Sequence, residues 1–164
     1  MTETTRTMID AATFRSTLGR FATGVTILTA RDDAGRDHGM TVSAFCSVSL
    51  DPPRVLCCVE RSADMYPVIA KAQRFAINIL TTAQEAISRR FAEERDDRFD
   101  GLGYTRGVTG CVLLDDILAY VECDVAARYE GGDHLIVLGD VIAGAAADGR
   151  PLLYYRGGYA QMER

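Results

Sequence analysis

Thr41, Ser43, Ser47 and Ser49 crowd one short run of the sequence, Gly39 to Leu50. A sharp Asp51-Pro52-Pro53 turn leads from it into the unbroken apolar run Val55 to Val59. Small hydroxyl side chains donate and accept hydrogen bonds without carrying charge. With the backbone amides of a strand they form a surface suited to a flat ligand with carbonyl and N–H groups on its rim, as the ring system of a flavin has. A Ser/Thr-rich edge strand facing water has the same composition, and composition alone favours that plainer reading. His134 is the second candidate. It follows a Gly131-Gly132 pair, with Asp133 beside it, at the mouth of an expected hairpin. An imidazole there can orient a carboxamide or hydrogen-bond a cofactor, although a polar turn residue is the commoner occupant. Arg89 and Arg90 close a helical pattern, where they suit the helix dipole and equally offer forked donors to a phosphate.

Other chemistries are absent. The sequence has no Gly-x-x-x-x-Gly-Lys-Ser/Thr loop, no His-Glu-x-x-His and no Gly-x-Ser-x-Gly. Gly101-Leu-Gly-Tyr-Thr-Arg-Gly107 is one residue too long for a dinucleotide fingerprint and follows a charged helix end, not a strand. Asp115-Asp116 read as solvated turn acids. The five cysteines include no Cys-x-x-Cys pair, and neither His38 nor His134 sits near a cysteine pair, so no metal site is expected. The cysteines are expected to act as small buried apolar residues.

Charge and composition bound the rest. The 164-residue chain carries 23 acidic and 18 basic residues, a net charge of −5, and Lys71 is its one lysine. An acidic chain without a basic block is not expected to bind nucleic acid or a membrane surface. Hydrophobic residues make up 48% and charged residues 25%, as in an ordinary globular domain. No apolar run has membrane-spanning length and the polar first residues lack a secretory pattern, so a cytoplasmic protein is expected.

The candidate groups need elements to hold them. Residues 1–9 read as a disordered arm and 10–164 as one domain. Asp10 is a plausible N-cap for a helix over Ala11 to Arg20, with Phe14 and Leu18 on one face. Phe21 to Ala30 reads as a strand, Arg31 to His38 as a hairpin loop, and the opening stretch as two strands. A short helical pattern ends near Ala72, and Arg74 to Leu80 is a strand. Thr82 followed by Glu85 fits a capping box for a helix over Ala83 to Glu94. Gly101, Gly103, Gly107 and Gly110 then punctuate a long loop, expected to be the mobile segment. Ile117 to Glu130 and Leu135 to Ala143 are paired strands, and Pro151 to Tyr155 is a last short one. Strands joined by hairpins and accompanied by few helices predict a mainly β, antiparallel barrel.

In order along the chain, Phe21-Ala-Thr-Gly-Val-Thr, Gly39-Met-Thr-Val-Ser-Ala-Phe-Cys-Ser-Val-Ser-Leu-Asp-Pro-Pro, Phe75-Ala-Ile-Asn-Ile-Leu, Arg90-Phe-Ala, Arg98-Phe-Asp-Gly, Gly132-Asp-His and Leu153-Tyr-Tyr-Arg-Gly-Gly-Tyr resemble the short-chain flavin reductase family. The match runs from about Phe14 to Tyr159. Its members are NAD(P)H:flavin oxidoreductases that serve two-component flavin monooxygenases.

The resemblance implies a split β-barrel of the FMN-binding type and a homodimer with flavin sites near the subunit interface. It implies that Val42, Ser43, Ala44, Phe45 and Cys46, with Val48 and Ser49, line the isoalloxazine and ribityl groups of FMN or FAD. Ala63, Asp64 and Met65, with Ile69 and Ala70, would close the phosphate side. Arg90 and Arg95 are further cofactor candidates, Arg95 by a looser match. His134 would meet the nicotinamide of NADH, or of NADPH, as an orienting donor, and Tyr154, Tyr155, Arg156 and Gly157 would meet the nucleotide from the C-terminal end. Val112 departs from the family, which commonly has proline there. Hydride would pass from nicotinamide C4 to flavin N5, and the reduced flavin would diffuse to a monooxygenase partner. Two other activities compete: a split-barrel protein that holds flavin tightly as an electron carrier or sensor, and a pyridoxamine-phosphate oxidase, which a chain with one lysine does not suit. No cluster of arginines for a 2′-phosphate stands out, which favours NADH.

Overall fold

β-Branched and aromatic residues recur in short runs cut by Gly, Pro and Asp, and the runs become strands. The structure, a computed structural model, describes residues 7–162. The expected N-terminal arm falls mostly outside that range; Thr7, Met8 and Ile9 are exposed and lie in no helix or strand. In chain order the elements are α1 (Ala11–Leu18), β1 (Thr23–Gly24), β2 (Thr26–Arg31), β3 (Asp37–Val42), β4 (Phe45–Leu50), β5 (Pro53–Glu60), α2 (Tyr66–Ile69), β6 (Arg74–Ile79), a 3-10 turn (Thr82–Gln84) and α3 (Glu85–Ala92). There follow β7 (Tyr104–Arg106), β8 (Val112–Leu114), β9 (Ala119–Gly131), β10 (His134–Ala146), β11 (Leu153–Tyr155) and β12 (Gly158–Ala160).

One seven-stranded sheet carries the fold, in the order β3-β2-β6-β9-β10-β5-β4, with every pair antiparallel. Its two edge strands, β3 and β4, are separated in the chain by Ser43 and Ala44 alone. The sheet must therefore roll until its edges meet. It does so without hydrogen-bonding β3 to β4, so the barrel is split along that seam. The Ala44 carbonyl instead accepts the Cys58 N–H at 2.9 Å. A small sheet, β1-β11-β12, and the hairpin β7-β8 flank the barrel.

The barrel interior is filled by Leu28, Val42, Val59, Phe75, Ile77 and Val137, closed at one side by Met65, Val68 and Ile69 around α2. A second core, Val25, Ile27, Leu80, Phe91, Val112, Leu114 and Leu152, lies between the barrel wall and α3. Residues Thr26 to Ala30 of β2 are consequently buried on both faces. The polar groups there find partners: Thr26 and Thr29 donate to the Val42 and Val112 carbonyls, both at 2.7 Å. Asn78 of β6 accepts the Leu114 N–H at 2.8 Å and donates to the Ile27 carbonyl at 3.2 Å.

Two apolar surfaces face outward. In the register of β9, β10 and β5, Tyr129, Ile136 and Cys58 stand opposite one another, as do Ala127, Leu138 and Leu56. They alternate with the buried Val137 and Cys57, so they share the outer face. α1 is capped as expected, the Asp10 carboxylate accepting the Thr13 N–H at 2.8 Å. Yet none of its residues is buried: Phe14 and Leu18, on one face, are each about half exposed among the described residues.

Three sequence expectations need correction. The capping box is formed by Thr81 and Gln84, one residue earlier than expected. The Thr-Thr and Gln-Glu tandems satisfy the pattern in both registers, and the bridge from Thr81 to Pro151 fixes the choice. Phe21 to Ala30 is broken at Val25, where the chain passes from the small sheet to the large one. The glycine-rich loop carries the hairpin β7-β8. Arg106 grips Asp37 through two bonds of 2.9 and 2.7 Å. The buried Glu122 carboxylate accepts the Val108 and Thr109 N–H groups at 3.1 and 2.8 Å.

Candidate functional site

The hydroxyl-rich stretch divides on folding. Thr41 on β3 turns inward and donates to the Ser88 carbonyl of α3 at 2.6 Å, so its hydroxyl pins the helix to the barrel. Val42 is buried in the core and can meet a ligand only through its backbone. Ser43 and Ala44 form the corner at the seam. Ser43, Ser47 and Ser49 make no side-chain hydrogen bond among the described residues, and β4 pairs only with β5. Its other edge keeps free backbone donors and acceptors. Phe45 packs on the core, whereas Cys46 and Val48 are exposed, Val48 at a bulge between Ser47 and Ser49.

Beyond the seam, Ser62 to Met65 turn into α2. The turn lines a cavity of ≈ 240 Å³ with Met40, Thr41, Glu60, Phe91, Ala92 and Arg98. The side chains of Met65 and Ile69 are buried in the core, so any role they have with a ligand is through backbone; Ala63, Asp64 and Ala70 are more open. Arg98 reaches in from the segment after α3, donating to the Glu93 carbonyl at 2.9 Å and to Asp64 at 3.3 Å. It was not among the expected site residues, although Arg98-Phe-Asp-Gly was one of the family-like motifs. Arg90 and Arg95 are engaged elsewhere. Arg90 donates to the carbonyls of Asp97 and Asp100. Arg95 makes a forked pair with Asp97 at 2.6 and 2.7 Å, which holds the Asp97 carboxyl down at about 2. In this arrangement both arginines order the 93–100 segment.

His134 begins β10 opposite Glu60. The Arg61 N–H bonds to the Asp133 carbonyl at 2.9 Å and so ties the His134 turn to the Ser62–Met65 turn. The His134 Nδ1 lies 2.7 Å from Asp133 Oδ1, and this bond keeps the Asp133 carboxyl below its ordinary range. A carboxylate only accepts, so Nδ1 carries the proton, and in the neutral ring Nε2 is left as an acceptor. The donor role expected for His134 would need both ring nitrogens protonated; with Nδ1–H committed to Asp133, the neutral ring offers an acceptor.

The C-terminal signature is a hairpin. Tyr155 pairs with Gly158 across a two-residue turn, with Arg156 at φ 52° and Gly157 at φ 80°. Tyr154 meets Tyr159 edge-on at 5.5 Å, Tyr159 bonds Ser88 at 2.8 Å, and the Arg89 guanidinium lies over its ring at 4.6 Å. Tyr154, Gly157 and Tyr159 line a cleft of ≈ 300 Å³ with Arg89 and Ala92. Ala92 is thus a wall shared with the Ser62–Met65 cavity. His134 and β4 line neither cavity, so the expected residues form separate patches in a single chain.

Residues 18–163 match the family model described as flavin reductase like domain. The chain is 38% identical over 159 residues to the flavin-dependent monooxygenase reductase subunit HsaB of Mycobacterium tuberculosis, covering 94% of this chain and 84% of that protein. It is 41% identical over 155 residues to a probable flavin reductase of Rhizobium meliloti; there it covers 94% of this chain but spans 50% of the longer relative. Among solved structures, the NADH:FAD oxidoreductase SgcE6 of Streptomyces globisporus, in complex with NAD and FAD fragments, superposes with a TM-score of 0.89 at 35% identity, covering 94% of this chain and 93% of that one. A split antiparallel barrel, its motifs in family order and a family match over nearly its whole length make this chain a member of the flavin reductase family.

Proposed function

We propose that this chain is an NAD(P)H:flavin oxidoreductase, one domain that reduces free FMN or FAD and releases it to a partner flavin-dependent monooxygenase. The observation that carries this reading is the uncharged edge of β4. Ser43, Ser47 and Ser49 have hydroxyls to spare, beside backbone groups that no neighbouring strand uses. Such an edge fits the carbonyl and N–H rim of a flavin and its ribityl hydroxyls, and it lacks the charges that would hold the ligand permanently. When bound, the flavin supplies the redox chemistry, accepting a hydride from the reduced nicotinamide. The protein's own work is positional: to hold two rings in contact and keep them there. The Ser62–Met65 turn, with Arg98 beside it, takes the flavin phosphate. His134, fixed by Asp133, accepts the carboxamide N–H of the nicotinamide, and the Tyr154–Gly157 hairpin receives the rest of the nucleotide.

These patches are separate in one chain, and a homodimer completes the site. The outward apolar face of Leu56, Cys58, Ile136 and Leu138 and the uncovered face of α1 support that assembly. Among the described residues no helix is long and apolar enough to cross a membrane; the cytoplasm is the compartment we assign. NADH is the preferred donor, in keeping with the Streptomyces relative. The test crosses FMN and FAD with NADH and NADPH in steady-state oxidation by the purified protein. Turnover that depends on added flavin is expected, and its absence with all four pairs would end the reading. His134→Ala should raise the nicotinamide KM more than the flavin KM, whereas an unchanged nicotinamide KM removes His134 from the site.

A further inference from the structure

Arg15, Arg20 and Arg156 line one pocket of ≈ 320 Å³, together with Ser16, Gly19 and Gly157, and no acidic side chain lines it. The first two lie in or just after α1 and the third in the β11-β12 turn. They meet because the Arg156 N–H bonds to the Gly19 carbonyl at 2.9 Å and β11 pairs with β1. Among the described residues none of the three makes a side-chain hydrogen bond or ion pair. Every other described arginine except Arg150 is engaged: Arg31, Arg36, Arg54, Arg74, Arg89, Arg95 and Arg106 by carboxylates, Arg90 and Arg128 by carbonyls, Arg61 and Arg98 by two kinds of partner. In a chain of net charge −5, three unneutralised cations in one acid-free concavity repel one another unless an anion joins them.

A second observation is independent of charge. Arg156 sits in the left-handed region at φ 52°, a turn position that Asn, Asp or Gly fills at less cost. An arginine that occupies such a position against its backbone preference points to a use for its side chain. The pocket also adjoins the tyrosine cleft, since Gly157 lines both.

We propose that Arg15, Arg20 and Arg156 form a phosphate subsite for the adenosine half of the pyridine nucleotide, the end opposite the nicotinamide that His134 holds. This rests on the reductase reading given above. Guanidinium forks suit either of two phosphates, the diphosphate common to NADH and NADPH or the 2′-phosphate peculiar to NADPH. The subsite joins Arg156 to two arginines 136 and 141 positions before it in the sequence, a meeting that only folding brings about.

The test uses the full chain and the double variant R15Q/R20Q. Both side chains are exposed and without partners, so circular dichroism melting should match the wild type. For wild type and variant, the KM of NADH and of NADPH is measured at low and at moderate salt. Calorimetric titration with ADP-ribose and with its 2′-phosphate, which needs no turnover, accompanies it. Each exposed arginine lost should weaken binding by about threefold to fivefold, an effect that salt diminishes. Equal weakening toward both ligands identifies the diphosphate, and weakening confined to the 2′-phosphorylated ligands identifies the 2′-phosphate. Unchanged ADP-ribose and 2′-phospho-ADP-ribose affinities overturn the subsite. Loss of flavin-dependent turnover in the wild type itself would instead refute the reductase reading, and the titration distinguishes the two.

Discussion

Gly39 is the position where the smallest change should be felt furthest. It lies on β3 beneath two rings: a Cβ there would stand 2.4 Å from Phe91 Cε1 and 2.9 Å from Phe99 Cζ. Neither ring can turn aside cheaply. Phe91 is 1% exposed in the second core, and Phe99 meets it edge-on at a centroid distance of 5.0 Å. Gly39→Ala therefore forces the rings, and with them the end of α3 and the 93–100 segment, away from the barrel. Overpacking a core by one methyl costs about 1–3 kcal/mol, and loosening an aromatic pair adds about 0.5–1.5 kcal/mol. At about 3 kcal/mol in total, Tm should fall by roughly 6–12 °C for a chain of this length. Arg98 adjoins Phe99 and reaches the Ser62–Met65 cavity, so flavin affinity should fall with stability. Urea unfolding and a flavin fluorescence titration measure the two. Phe99→Leu, which trims the clashing ring, should make the double variant less damaged than the sum of the singles. A Gly39→Ala protein within about 0.5 kcal/mol of wild type, binding flavin normally, would show that this contact does not position the site.

Glu122, 1% exposed, also accepts the Thr109 hydroxyl at 2.5 Å. Glu122→Gln turns an amide N–H toward a backbone donor, so urea unfolding should show a loss of about 1.5–3 kcal/mol; an unmoved midpoint would refute it. The Asp97 carboxyl, depressed to about 2 by Arg95, gives a stabilisation present above the ordinary carboxylate pKa and lost as pH falls from about 4 through 2. Amide exchange in the 93–100 segment should accelerate across that window after correction for intrinsic rates, and Asp97→Asn should abolish the dependence. Light scattering should find a homodimer, and Leu138→Glu, on the outward face, should yield monomers; a monomeric wild type would contradict the interface.

The strand pattern, the hairpin at Gly131-Gly132 and the Asp10 cap were legible because each depends on neighbours in the sequence. β10, from His134 to Ala146, runs longer than its apolar alternation, because β9 supports the polar continuation through pairing. The hairpin β7-β8 was missed since three-residue strands leave no periodicity, and distant partners, Asp37 and Glu122, hold the segment around it. Thr41 looked like part of a ligand surface; only the packing of α3 shows that its hydroxyl is taken. The sequence shows no arginine cluster for the same reason, as Arg15 and Arg156 become neighbours only when β1 meets β11. Ordered motifs identified the family, whereas the side-chain partners within those motifs required the fold.

The seam between β3 and β4 bears on how the protein is made. Strands so close in sequence ordinarily pair with each other, but here they occupy opposite margins of the sheet. β4 is anchored only through β5, and β5 joins the rest of the sheet only through β10, which ends at Ala146. A nascent chain can close the β4-β5 hairpin early, yet that hairpin has no further strand to pair with until β10 has left the ribosome. Such non-local pairing makes folding slow compared with helical domains. The hydroxyl-bearing edge is thus among the last surfaces to be set in place, and a chain that stops before β10 leaves it unanchored.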